Sequence, residues 1–221
     1  AYAETCAGIA LAFWAHRMFH IDPNSRYIDV MERAIYNNVL SGVSFDGDRF
    51  FYANPLAAYP NVNPTKPTIA TSAIEHYRRQ EWFFCPCCPP NVARLVASIG
   101  AYFYSVAADR LYVHLYNQNS AKLDLSTASV ELVQQTNYPW DGRVEFIVTP
   151  DRAAEFELAL RIPAWCPSYT LDVNGVRQAA PVENGYAIVR RAWTAGDRVV
   201  LDLAMPVERI APHPSIREDA G

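Results

Sequence analysis

Two hydrophobic periods divide this chain. Up to about residue 105, apolar positions recur at threes and fours; beyond Asp109 they alternate. Residues 3–19 carry Ala7, Ile9, Ala10, Leu11, Phe13, Trp14 and Met18, apolar almost all round, which predicts a buried helix. Asp22-Pro23-Asn24 breaks it. A second helix is predicted over 25–41 from Ile28, Met31, Ile35, Val39 and Leu40, with Gly42 as its terminator. Residues 43–90 read as irregular, apart from a short hairpin that turns at Asp46-Gly47-Asp48. Seven of the 16 prolines fall between 55 and 90, and ordered connections of that length are often functional. A third helix is predicted from Pro90 to Tyr104, with Pro89 and Pro90 at its start, where a missing N–H costs little.

The alternating half predicts strands near 111–116, 121–125, 129–135, 144–148, 155–162, 170–173, 186–190 and 199–203. Asn174-Gly175 between apolar runs is a strong signal for a two-residue hairpin. Short strands at this spacing suggest an antiparallel sandwich. The predicted class is α+β, a helical segment followed by a β-sandwich, with no internal repeat.

Composition trims the function classes. With 51% hydrophobic and only 19% charged residues over 221 positions, the chain is too apolar for intrinsic disorder. Nineteen basic against 23 acidic residues leave no electrostatic footprint for nucleic acid. No apolar run approaches the roughly 20 residues that span a bilayer, so no membrane partner is expected. The chain starts without Met and inside a predicted helix, so both ends are expected to be cut. Five cysteines, three of them within four positions, make a poor disulfide framework and point to a reducing, cytoplasmic compartment.

The candidate chemistry lies in Cys85-Pro86-Cys87-Cys88-Pro89-Pro90-Asn91. Thiols at the start of a helix meet the positive end of its dipole, which favours thiolate. Glu4 and Cys6 lie two apart near the start of the first helix. With Cys87 and Cys88 they compose three thiolates and a carboxylate, a donor set that suits tetrahedral zinc, structural or catalytic. A redox pair of Cys85 and Cys88, in C-x-x-C spacing, is the competing reading. Cys85 also competes with Cys88 for the fourth ligand position. Cys166 reads as a small buried hydrophobe, and His16, His20, His76 and His114 as structural or pocket residues.

Several stretches resemble glycoside hydrolase family 127, the β-L-arabinofuranosidases: residues 2–7 around Glu4-Thr5-Cys6, residues 26–38, residues 50–56, and Cys87-Cys88-Pro89-Pro90-Asn91 with Val92-Ala93-Arg94. Residues 160–166 and Val173-Asn174-Gly175 resemble landmarks of the same family. The resemblance implies a zinc-dependent, retaining exo-glycosidase that releases L-arabinose from arabinofuranosyl oligosaccharides or glycoprotein glycans. It implies zinc on Glu4, Cys6, Cys87 and Cys88, a nucleophile at Cys87, and sugar-pocket roles for Glu32 and Tyr52. Its general acid/base Glu would precede the first residue of this chain, which makes the chain by itself inactive. It further implies that residues 1–105 are the last helices of an (α/α)6 barrel and residues 106–221 an incomplete sandwich. Barrel helices outside the chain would leave apolar surface exposed, open to self-association. The other reading is a non-catalytic carbohydrate-binding or scaffold module held by structural zinc.

Overall fold

The computed structural model describes residues 3–54, 79–83, 85–211 and 213–215. The fold is a mixed one, with a few helices and two large sheets. It divides into two compact units: Ala1–Arg17, Val30–Ser98 and Glu208–Gly221 form the first, Met18–Asp29 and Ile99–Val207 the second.

In the first unit, strand β1 (Ala3–Glu4) runs directly into helix α1 (Thr5–Ile21), and helix α2 (Ser25–Ala34) brings its C-terminal half. α1 and α2 each begin in one unit and end in the other. The predicted second helix is not uniform. It is α-helical to Ala34 and π-helical over Ile35–Leu40. Widened turns of this kind are frequently found at functional sites. The predicted hairpin is present: the Ser44 N–H donates to the Arg49 carbonyl at 2.9 Å, and Val43 pairs with Phe50. Strand β2 (Ala53–Asn54) follows and pairs antiparallel with β1, Ala3 against Asn54 and Glu4 against Ala53.

Helix α3 (Cys88–Ser98) starts two residues earlier than the sequence predicts. Its first intrahelical bond runs from the Asn91 N–H to the Cys87 carbonyl at 3.4 Å, which makes Cys87 the N-cap. Pro89 and Pro90 then occupy positions whose N–H groups have no intrahelical acceptor, so their rings cost no hydrogen bond. Ile9, Ala12, Ala15, Met31, Ile35, Val39 and Leu95 are buried in this unit. Among the described residues α1 is buried on one side only, and part of its apolar surface is exposed. Leu11 is 40% and Trp14 61% exposed, and Val30 of α2 is 40% exposed. Exposed apolar side chains are normal on protein surfaces, so this does not establish self-association.

The second unit carries strands β3 (Tyr104–Ala107), β4 (Arg110–Val113), β5 (Asn119–Asp124), β6 (Ser129–Thr136), β7 (Arg143–Pro150), β8 (Ala154–Arg161), β9 (Tyr169–Val173), β10 (Val176–Arg177), β11 (Val182–Glu183), β12 (Tyr186–Trp193) and β13 (Asp197–Leu203). One sheet has the order β10-β9-β13-β7-β6-β5, the other β11-β12-β8-β4-β3. The alternation read from sequence appears as burial: Val144, Phe146 and Val148 of β7 point inward, as do Val199, Leu201 and Leu203 of β13. The Asn174-Gly175 turn is formed, both residues at positive φ (50° and 78°), as a two-residue turn of this type requires.

Two details depart from the sequence-based expectation. β4 and β8 pair in parallel. The three strands between them, β5 to β7, belong to the other sheet, so the chain returns to β4 in the same direction rather than through a hairpin. β3 also falls where the third helix was predicted to end, because Tyr104 pairs with Val113. One buried charge here is matched. Arg161, fully buried, pairs with Asp29 at 2.7 Å and donates to the His114 carbonyl at 2.6 Å. Among the described residues no helix is long and apolar enough to cross a membrane.

Candidate metal centre

Three segments of the first unit converge on one point. The short β1 strand delivers Glu4, and the first turn of α1 delivers Cys6. The start of α3 delivers Cys87 and Cys88. Thr5 lies between Glu4 and Cys6 and is tied down twice. Its N–H donates to the Tyr52 carbonyl at 3.0 Å, and its hydroxyl donates to the Phe51 carbonyl at 2.7 Å. With Thr5 fixed to the strand that follows the hairpin, its two neighbours hold a set direction.

The three sulfurs lie within 4.8 Å of one another and could hold a metal ion. The separations are 3.2 Å from Cys6 to Cys87, 3.6 Å from Cys6 to Cys88 and 3.9 Å from Cys87 to Cys88. Glu4 Oε1 stands 3.9 Å from Cys87 Sγ. Two thiolates about 2.3 Å from a tetrahedral zinc stand about 3.8 Å apart, and a sulfur and a carboxylate oxygen about 3.5 Å. The sulfur spacings run from 3.2 Å, about 0.6 Å below the first value, to 3.9 Å, just above it, so the three thiols could hold a metal ion; Glu4 stands beside Cys87 but outside that group of mutually close donors.

The surroundings of the thiols are apolar. Cys88 is fully buried with Phe50 and Phe83, and Cys6, Cys87 and Tyr52 pack against that group. Burial therefore pushes the Cys87 thiol up from its ordinary value, and contact with Cys6 adds to the rise, while Cys88 and Cys85 work the other way. Burial pushes Cys88 up further, and Cys6 and Cys87 add to it. The sequence suggested that the helix dipole would favour thiolate. In the folded protein burial acts in the opposite direction on Cys87 and Cys88, toward the neutral thiol.

The other candidates are placed as follows. Cys85 is exposed and outside the three-thiol cluster, while Cys88 is inside it. Glu32 is 6% exposed on α2, not a solvated helix residue. Tyr52 is half-buried, its ring 5.9 Å from Phe83. An open cleft of about 470 Å³ is lined by Glu4, Gly8, Leu11, Arg33, Asn37 and Asn38, without Glu32 or Tyr52.

His114 is structural: its ring nitrogens bond the Tyr186 and Ser105 hydroxyls at 2.8 Å each, and Phe19 packs edge-on against it. His16 is half-buried and His20 exposed on α1, outside the three-thiol cluster; His76 lies outside the described residues. Cys166 is half-buried rather than buried, its thiol donating to the Ser168 carbonyl at 3.0 Å.

Sequence reasoning assigned no role to two asparagines that hold the Glu4 strand. Asn54 Nδ2 reaches the Ala3 carbonyl at 3.2 Å, the Thr5 hydroxyl at 3.2 Å and the Asn38 carbonyl at 3.1 Å. Asn38 Nδ2 donates to the same Ala3 carbonyl at 3.2 Å. The one local signal was Gly8, an unfavourable residue in a helix interior. A Cβ there would come within 1.9 Å of Asn38 Oδ1.

Comparison with known proteins gives a consistent picture. Residues 1–101 match the model "Beta-L-arabinofuranosidase, GH127 catalytic domain", and residues 110–205 match the GH127 middle domain. A curated non-reducing end β-L-arabinofuranosidase of Bifidobacterium longum subsp. longum is 34% identical over 230 residues, covering 100% of this chain and 33% of that protein. A crystal structure of a GH127 β-L-arabinofuranosidase from Geobacillus stearothermophilus T6 superposes with a TM-score of 0.90 at 47% identity, over 99% of this chain and 34% of the other. A second GH127 β-arabinofuranosidase structure gives 0.83 at 35% identity, over 93% and 33%. The chain thus spans about one third of the length of these relatives.

Proposed function

Because the chain belongs to glycoside hydrolase family 127, we propose that it carries the metal–thiolate half of a retaining exo-β-L-arabinofuranosidase. The observation that carries this reading is the meeting of Cys6, Cys87 and Cys88 beside Glu4. These four residues would hold zinc, whose positive charge would keep the buried thiols deprotonated near neutral pH. Cys87 is the nucleophile. Its thiolate attacks the anomeric carbon, the bond to the leaving oxygen breaks, and a thioglycosyl-enzyme forms. Water then attacks the same carbon from the opposite face and returns the sulfur as thiolate. Two inversions give L-arabinose with its configuration retained.

Glu32 and Tyr52 are assigned to the sugar, Glu32 as acceptor from its hydroxyls and Tyr52 as donor. The leaving oxygen needs a general acid, which we place outside this chain. The substrate class is β-L-arabinofuranosyl ends of oligosaccharides or glycoprotein glycans. In this reading residues 1–105 end an (α/α)6 barrel, residues 106–221 form a sandwich from the two sheets, and the five free cysteines suit a reducing, cytoplasmic compartment.

The test is Cys87→Ser in the whole protein, assayed on a β-L-arabinofuranoside. A serine cannot replace a metal-activated thiolate, so turnover is expected to fall at least about a thousandfold. Activity near that of the wild type would refute the nucleophile assignment. One observation favours a second reading: the thiols pack within an aromatic core, as in a closed structural zinc site. In that case chelation unfolds the protein while sugar binding survives Cys87→Ser.

A further inference from the structure

The first turn of α3 holds a residue that the reaction above does not use. Asn91 is tied to both sides of the thiol cluster. Its backbone N–H donates to the Cys87 carbonyl at 3.4 Å, and its side-chain Nδ2 donates to Cys6 Sγ at 3.2 Å. Cys87 and Cys88 are treated differently. Among the described residues, Cys87 Sγ meets Cys6, Cys88, Glu4 and the Cys85 thiol, and Cys88 Sγ meets Cys6, Cys87 and the Tyr52 carbonyl. No side-chain N–H reaches either one there. The cluster is therefore asymmetric: one sulfur carries an amide donor and two do not.

We propose that Asn91 tunes this cluster, holding Cys6 as a hydrogen-bonded ligand and leaving Cys87 the more electron-rich sulfur. The inference rests on the metal–thiolate reading above. An N–H···S bond to a thiolate draws electron density from the sulfur and lowers its reactivity toward carbon electrophiles. The same bond fixes the Cys6 side chain, which comes from a different helix than the other two thiols. Asn91 is thus a positioning residue. It acts through Cys6, and its effect on Cys87 is one of contrast.

The experiment uses the full chain loaded with zinc and treated with iodoacetamide, with alkylated positions read by peptide mass spectrometry. Zinc affinity is measured in parallel by chelator competition. Wild type is expected to react at Cys87 ahead of Cys6. In Asn91→Leu, which removes the donor, Cys6 is expected to react alongside Cys87 and zinc affinity to fall about 10–100-fold. Asn91→Asp, nearest in shape and without the donor, should behave the same way and covers the case in which the Leu variant does not fold. Selective alkylation of Cys87 in a folded, zinc-loaded variant overturns the proposal, whether or not affinity has dropped. A wild-type chain that takes up no zinc overturns the metal reading itself, and this is seen before any variant is compared.

Discussion

Replacing Gly8 with alanine sets two rules against each other. By helix propensity alone, Gly→Ala inside α1 should stabilise the protein by about 1 kcal/mol. The structure reverses that sign. A Cβ on Gly8 would lie 1.9 Å from Asn38 Oδ1 and 2.6 Å from its Cγ, well inside contact distance. The amide cannot swing aside freely, because its Nδ2 is bonded to the Ala3 carbonyl. Moving it costs that hydrogen bond, about 1 kcal/mol, and fitting a methyl into the gap costs about 1–3 kcal/mol more. Set against the propensity gain, Gly8→Ala should destabilise by about 1–3 kcal/mol. For a chain of this length that lowers the thermal midpoint by about 2–12 °C, read by circular dichroism. The double variant Gly8→Ala/Asn38→Ala tests the cause: with the amide gone the new methyl has room, so adding Gly8→Ala to Asn38→Ala should cost little or stabilise. A Gly8→Ala protein as stable as wild type, or more so, would show that this contact does not constrain the helix.

Two further outcomes follow from specific bonds. Asn54→Ala removes three hydrogen bonds around Ala3 and Thr5, so the strand carrying Glu4 loosens; zinc affinity by chelator competition should fall about tenfold, and unchanged affinity would contradict the clamp. Asp197 accepts from the Thr194 N–H and from Asn174 Nδ2, each at 2.8 Å. Burial opposes its charge, but these bonds and Arg191 outweigh burial and hold the carboxyl below its ordinary value. A lowered carboxyl contributes stability that is fully present above the unfolded value of about 3.9 and is lost as pH falls through the folded value. Asp197→Asn should therefore cost about 1–3 kcal/mol at neutral pH, and the gap to wild type in urea titrations should close as pH drops below about 4. A gap that does not change with pH would refute the assignment.

Much of the second unit was legible in the chain because strand periodicity is local. Each strand from β5 to β9 matches an alternating run within a few residues, and the Asn174-Gly175 turn needed only two letters. What was not legible depended on partners distant in sequence. The parallel pairing of β4 with β8 is fixed by strands of the other sheet, not by anything within 110–113. The start of α3 was set by the Cys87 carbonyl, whereas the prolines drew the predicted start two residues late. Trp14 and Leu11 have the apolar character of a buried face, yet the described residues leave them partly open.

The candidate site divides along the same line. The residue types of its donor set were readable, because adjacent thiols before Pro-Pro and a Glu-x-Cys pair are rare combinations. Their protonation was not, because it depends on Phe50 and Phe83 packing against the sulfurs. That packing sets the thermodynamics. A dipole worth about 0.3–1 kcal/mol at a helix end cannot ionise thiols that burial has pushed up. Burial instead favours the neutral form of Cys87 and Cys88. On the proposed metal–thiolate reading, the Asn91 amide would set Cys6 apart from the two sulfurs that carry no such donor.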